Sequence, residues 1–209
     1  MLKIQDLTIK NLKAGKFINE LPDFYELKNI IENNHWHNNE STFTHTLKVL
    51  ANYNKFLDKN SNIRVSRYLN KKVVNYKRKD LISLAIVLHD LGKKEILTKK
   101  AEISSFPEHE KISVLKSKKI FNKFKLSKKE KDIVEGIIKK HSDLHAIVED
   151  DNQNLDKEFN SLVKSSRDYI VELITLVMTD TLNGYLKKTM PKKYKFRINF
   201  YKEKLKNLV

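Results

Sequence analysis

The sequence predicts an all-α protein, and three features support this. Only four glycines and three prolines interrupt 209 residues, so turn signals are scarce. No stretch sustains the alternation of apolar and polar residues that marks a half-buried strand. Residues that favour helix ends stand where apolar segments begin, which indicates a chain of capped helices.

These caps place the helices along the chain. Ser41 precedes "TFTHTLKVL", Asp80 opens the central helix, and Pro107 suits a first helical turn. Ser127 stands three residues before Glu130, the spacing of a capping box. We predict helices at about 24–33, 41–58, 64–77, 79–91, 107–124, 127–141, 157–183 and 192–207.

Length and composition bound the class of protein. We expect a single domain over 1–209, with a core at about 20–185 and a basic helix at 186–209. No apolar run approaches the roughly 20 residues of a membrane span, and the N-terminus lacks the apolar core of a secretory signal, so we expect a cytoplasmic protein without membrane association. Without cysteine, any metal must be bound by His, Asp or Glu.

The net charge of +16 favours a polyanionic partner such as RNA or a nucleotide. Only five of the 42 basic residues are arginine, however, and the lysines are spread from Lys3 to Lys206, which is not typical of a dedicated nucleic-acid surface. We expect the C-terminal "PKKYKFRINFYKEKLKNLV" to pack on the domain, with an RNA contact or a homo-oligomer contact as alternatives.

The most informative segment is "LISLAIVLHDLGKKE", residues 81–95, in which an apolar helix ends in His89 and Asp90. A buried carboxylate costs several kcal/mol unless it is paired or coordinated. Gly92 suggests a left-handed helix end that could turn Asp90 toward the point that His89 faces. Lys93 would then lie near enough to neutralise an anion or, alternatively, only cap the helix.

Two other polar residues interrupt apolar helices in the same way. His45 lies in "TFTHTLKVL", and Asp180 lies in "VELITLVMTDTL", which is apolar on nearly every side. A buried metal ion would explain these residues together with His89 and Asp90.

At these residues the sequence resembles the HD-domain metal-dependent phosphohydrolases, whose pattern is a His, a His-Asp pair and a distant Asp, all on helices. It looks most like the HD domain of certain bacterial CCA-adding tRNA nucleotidyltransferases, because "ELPDFYELKNI" precedes "HNNESTFTH" and His37 lies eight residues before His45. No nucleotidyltransferase domain precedes this segment, so we do not expect CCA addition.

The resemblance implies a metal centre. His109 in "FPEHEKIS" and His141 in "IIKKHSDLH" fit the members that bind two ions. Asp90 would then bridge an ion held by His45, His89 and Asp180 and a second ion held by His109 and His141. Such ligands suit Fe, Mn, Zn or Ni, with Mg as a further candidate.

Three of these assignments have alternatives. His109 stands at a helix start, where a solvated residue is common. His145 lies four residues after His141, but Ser142 and Asp143 resemble a helix cap between them, so we prefer His141 alone. His37 is interpreted as a residue on the substrate side, with a structural role as the alternative.

The sequence therefore predicts a metal-dependent phosphohydrolase acting on a nucleotide, a 2',3'-cyclic phosphate or another small phosphoester. By that interpretation Asp90 orients a metal-activated hydroxide and Lys93 contacts phosphate, while His37 and His109 are candidates for the leaving-group acid. The alternatives are a non-catalytic RNA- or nucleotide-binding module and a nucleotide sensor.

Overall fold

The computed structural model describes residues 1–59, 62–100, 102–149 and 151–209, and it confirms the all-α prediction. The helices are α1 (Ile9–Lys13), α2 (Pro22–Glu26), α3 (Thr42–Lys59), α4 (Ile63–Leu69), α5 (Arg78–Leu88), α6 (Lys93–Ile96), α7 (His109–Phe121), α8 (Lys128–Ile147), α9 (Leu155–Ser165), α10 (Ile170–Asn183), α11 (Leu186–Thr189) and α12 (Pro191–Asn207). Short 3-10 turns cover Ile4–Asp6 and Leu27–Asn29.

Helix α5 lies at the centre of the core. Its apolar side chains from Leu81 to Leu88 are almost completely buried, and the helix packs against α3, α8 and α10. Asp80 does not open α5 as we predicted: it is the third residue of the helix, and its carboxylate accepts the backbone N–H of Lys77 at 3.0 Å. This packing places the polar residues at the end of α5 inside the helical core.

Several predicted helices differ in extent from the observed ones. The helix predicted at about 24–33 ends by Asn29, and the chain continues as strand β1 (Ile31–Glu32). The helix predicted at about 64–77 ends at Leu69, because a turn at 74–76 directs its backbone N–H groups to the buried Glu130 carboxylate. The helix predicted at about 157–183 is two helices, α9 and α10, separated at 166–169.

Short strands, which the sequence did not suggest, line one side of the fold. Strand β1 pairs with β2 (Glu40–Ser41), and β3 (Thr98–Lys100) pairs with β4 (Ile103–Ser105), both antiparallel. The backbone N–H of Ser104 donates to the Asn33 carbonyl at 2.9 Å, and Ser104 Oγ accepts the Asn33 N–H at 2.8 Å. The two hairpins are thereby held side by side.

Gly92 does not have the left-handed conformation that we predicted, since its φ is −82°. It is required for a different reason. A Cβ atom at this position would lie 2.2 Å from the carbonyl oxygen of His109 and 2.8 Å from the backbone N of Ser113. The absent side chain therefore lets the start of α7 approach the end of α5.

None of the helices in the described ranges combines the length and the apolar character needed to cross a bilayer.

Candidate metal centre

A pocket of about 440 Å³ opens between α3, α7, α8 and α10, with the β1 segment on one side. Most of the residues singled out in the sequence line it or lie directly behind it. The lining includes His37, His45, Asp90, Lys93, His109, His141 and Asp180, and His89 contacts Asp90 from behind. Residues separated by up to 143 positions are thus brought to one site.

Asp90 is the central carboxylate of this pocket and is almost fully buried. Its Oδ1 lies 3.1 Å from Nε2 of His109, and its Oδ2 lies 3.2 Å from Nε2 of His89 and 3.9 Å from Nε2 of His45. Burial alone would raise the pKa of Asp90, but the neighbouring His89 and Lys93 outweigh it and hold the pKa well below its usual range. Asp90 is therefore an anion whose two oxygens face different histidines.

Three histidines around Asp90 are oriented in the same way. In each ring Nδ1 contacts the backbone carbonyl three residues earlier, and a carbonyl can only accept, so Nδ1 carries the proton. A neutral ring of this kind presents the lone pair of Nε2 to the pocket. The contacts are His89 to Ile86 at 2.8 Å, His109 to Phe106 at 3.0 Å and His141 to Ile138 at 2.7 Å.

The Nε2 atoms of His109 and His141 lie only 3.0 Å apart. Burial, with the charges of His109 and His89, lowers the pKa of His141 well below its usual range, so His141 is neutral. Its Nε2 lone pair then points at another ring nitrogen, an arrangement that favours a cation between or beside the two rings. Among the residues that the structure describes, none makes a hydrogen bond of good geometry with Asp90 Oδ2, although Lys93 Nζ lies 2.9 Å away, and this oxygen therefore adds an acceptor for a cation.

These groups fit divalent metal ions. Two sets of ligand atoms, each with its members within 4.8 Å of one another, share Asp90: His45 with His89, and His109 with His141. Imidazole nitrogens and a shared carboxylate form a donor set that first-row transition metals prefer.

Asp180 closes the pocket from α10. Its Oδ1 lies 2.9 Å from Nε2 of His45, and its Oδ2 lies 2.8 Å from Nε2 of His145. Burial would raise the pKa of Asp180, but His45 and His145 lower it well below its usual range. The Asn183 amide contacts Nδ1 of His45 at 2.9 Å, and a half-turn of that amide would present its oxygen instead, so either tautomer of His45 has a partner.

The helix end predicted near His141 is wrong. Helix α8 continues to Ile147, and both His141 and His145 point into the pocket. Ser142 Oγ lies 3.4 Å from a Glu110 carboxylate oxygen, and Asp143 pairs with Lys140 at 2.7 Å, so neither side chain caps the helix.

Lys93 begins α6 and is buried beside Asp90. Its Nζ lies 2.8 Å from Glu32 Oε2 and 2.9 Å from Asp90 Oδ2. Burial would lower the pKa of Lys93, but these two carboxylates raise it above its usual range. The ammonium group is therefore held inside the pocket wall, whereas a helix cap would lie in solvent.

His37 also lines the pocket and contacts the same group of side chains. Its ring lies edge-on to His45 with the centroids 4.4 Å apart, and its nitrogens lie 3.4 Å from Glu32 and 3.3 Å from Glu40. Burial lowers the pKa of His37, with the charge of His45 in the same direction. A neutral His37 can both donate and accept a proton in the pocket.

Sequence reasoning missed four residues that complete the site. Glu32 holds Lys93, Asn183 contacts His45, and Arg197 and Glu149 lie behind His145. None stands in a recognisable motif, and each contacts a residue at least 48 positions away.

Comparison with known families agrees with this geometry. The family described as HD domain matches residues 42–174, well over half of the chain, so the chain belongs to the HD domain family. Most HD domains are metal-dependent hydrolases. A search of curated proteins finds no match. The family match spans His45, His89, Asp90, His109 and His141 and ends six residues before Asp180.

Proposed function

We propose that this protein is a metal-dependent phosphohydrolase that cleaves a phosphoester of a nucleotide or another small phosphorylated compound. One observation carries the proposal: the ionised Asp90 lies between two sets of histidines, and in His89, His109 and His141 a backbone carbonyl takes the Nδ1 proton, so that Nε2 is the ring nitrogen directed at the site. A core built only for stability has no use for ring nitrogens that converge on a buried anion.

In this proposal His45, His89, Asp90 and Asp180 would hold one ion, and Asp90, His109 and His141 would hold the other. Fe, Mn, Zn and Ni suit these ligands, with Mg as the least favoured because imidazoles dominate the set. A bound divalent ion would supply Lewis-acid stabilisation of a phosphoryl oxygen and would lower the pKa of water in the site.

The chain's own residues have distinct roles. Asp90 orients the attacking water, and Lys93, fixed by Glu32, places a positive charge where the phosphoryl group gains negative charge. His37 lies edge-on to His45; neutral at rest, it takes a proton from the attacking water and then, as the imidazolium, passes it to the leaving oxygen. The pocket volume of about 440 Å³ suits a ligand of nucleotide size.

We further propose that the substrate is a 2',3'-cyclic phosphate, on the basis of the resemblance of the sequence to HD domains of CCA-adding enzymes. The feature that supports it is the juxtaposition of His37 and His45, eight residues apart in sequence and edge-on in space. A 2',3'-cyclic phosphate has one diester to open and a ribose hydroxyl to protonate, which suits a proton donor next to the metal ligands.

Metal content and hydrolysis test the proposal together. Elemental analysis of the purified protein, with assays on bis-p-nitrophenyl phosphate and p-nitrophenyl phosphate, should give bound metal and hydrolysis in the wild type and neither in Asp90→Ala. Asp58→Ala removes an exposed carboxylate from α3 and serves as the matched control. Protein that stays metal-free and inactive after addition of Mn, Fe, Ni or Zn would instead favour a non-catalytic module that binds RNA or a nucleotide.

A further inference from the structure

Arg197 on α12 is completely buried, although it belongs to a helix whose other basic residues are largely exposed. Its guanidinium group forms a close ion pair with Glu149 and stacks on Trp36, with its Cζ atom 4.6 Å from the ring centroid. Both partners line the pocket. A fixed cation therefore lies directly behind the pocket wall, outside the segment matched by the HD domain family.

The third contact of Arg197 is with a histidine. Nη1 lies 3.4 Å from Nδ1 of His145. A guanidinium group only donates hydrogen bonds, so this contact requires the lone pair of His145 at Nδ1. The ring proton must then reside on Nε2, which is the opposite tautomer from that of His89, His109 and His141.

The Nε2–H group of His145 donates to Oδ2 of Asp180 at 2.8 Å. This bond fixes one carboxylate oxygen and leaves Oδ1 turned toward His45. We propose that Arg197 is a positioning residue: it holds His145 in the tautomer that donates to Asp180, and so sets the orientation in which Asp180 can bind metal.

This inference rests on the proposed metal centre and deepens it. It assigns His145 the role of orienting a ligand, because Asp180 accepts from its Nε2 and Arg197 donates to its Nδ1, so both ring nitrogens are engaged by side chains. It also gives α12 a part in the chemistry of the site. Partners of this kind typically change metal affinity by about 10- to 100-fold when they are lost.

Mn²⁺ binding, measured by calorimetry, tests the role of Arg197 through His145. Arg197→Met should weaken binding about tenfold. In a His145→Gln background the same change should weaken it only about twofold or less, because a glutamine amide donates to Asp180 without any choice of tautomer. Lys195→Met, which removes an exposed charge from the same helix, is the control and should bind Mn²⁺ as the wild type does.

Equal losses in both backgrounds would overturn the inference, since they would show that Arg197 acts only through packing. The tautomer can also be read directly from imidazole ¹⁵N shifts of the metal-free wild type, which avoids any variant that folds poorly. A proton on Nε2 of His145 supports the inference, and a proton on Nδ1 overturns it. Wild-type protein that binds no metal would overturn the proposed centre itself, which distinguishes that failure from the failure of the positioning role.

Discussion

The two halves of the metal centre orient their histidines by different means. Around Asp90, the rings of His89, His109 and His141 are held by carbonyls of their own local backbone, three residues earlier. Around Asp180, the ring partners are side chains that are distant in sequence from His45 and His145, namely Asn183 and Arg197. The Asp90 half is therefore oriented as soon as the local backbone is formed, whereas the Asp180 half depends on how the C-terminal segment packs.

The largest expected effect separates the two histidines of α8. His141→Gln should weaken Mn²⁺ binding by roughly 100-fold or more, because it removes a ligand, whereas His145→Gln should cost about tenfold or less, because glutamine still donates to Asp180. Calorimetric titration of the two variants measures the difference. Equal losses would contradict the division of the site into a ligand and an orienting residue.

A change at Gly92 should disturb the Asp90 half through the backbone. A methyl group here would meet the His109 carbonyl at 2.2 Å, so Gly92→Ala should lower the free energy of unfolding by about 2 kcal/mol and displace His109. Chemical denaturation measures the first effect and Mn²⁺ titration the second.

Gly184→Ala is the matched control for this variant. Its Cβ would have ordinary contacts, none closer than 3.5 Å, and it should unfold as the wild type does. A Gly92→Ala protein as stable as this control would show that α7 can shift without cost.

Metal binding should strengthen as the pH rises from 6 to 8. Burial lowers the pKa values of His45 and His89, but Asp180 and Asp90 respectively outweigh it and raise both above the usual value, so an ion must displace protons from these rings. Each displaced proton gives about a tenfold gain in affinity per pH unit. Titrations at several pH values measure the slope, and a flat profile would contradict proton displacement.

The metal-free protein should show the opposite trend. A raised pKa in the folded state means that His45 and His89 stabilise the fold most at low pH, and this contribution is lost as the pH passes through the raised values. Thermal unfolding with a chelator should therefore give a melting temperature that falls above pH 7, where His37 and His141, whose lowered pKa values act in the opposite direction, are already neutral in the folded and the unfolded state.

The smallest expected effect concerns Asn183. Asn183→Ala leaves Nδ1 of His45 without its 2.9 Å partner and should weaken Mn²⁺ binding about threefold, the size of one neutral hydrogen bond. No change would indicate that Glu40, 3.9 Å from the same nitrogen, can replace the amide.

The sequence was informative where a polar residue interrupts an apolar helix. His45, Asp90 and Asp180 could be singled out because a polar group in an apolar helix is costly to bury without partners. The helix of His45 was predicted nearly at its observed position, whereas the helix predicted to carry Asp180 is two helices. The end of α8 was predicted wrongly, because Ser142 and Asp143 favour caps in isolation but bond to other side chains here.

Tertiary contacts explain what could not be predicted. The need for Gly92 arises from the approach of a second helix, and Glu32, Asn183 and Arg197 gain their roles from partners far along the chain. Local sequence carries no signal for such pairs. The short β1–β2 and β3–β4 pairings were missed because strands of two or three residues leave no periodic pattern.

Helix α10 has a practical consequence for dissecting this protein. The family match ends at residue 174, within α10, whereas Asp180 lies one and a half turns further and Arg197 lies on α12. A fragment cut to the limits of similarity would keep Asp90 and the histidines that surround it and lose Asp180, Asn183 and Arg197. The region that relatives share and the smallest region able to assemble the site therefore have different borders, and expression trials should retain α12.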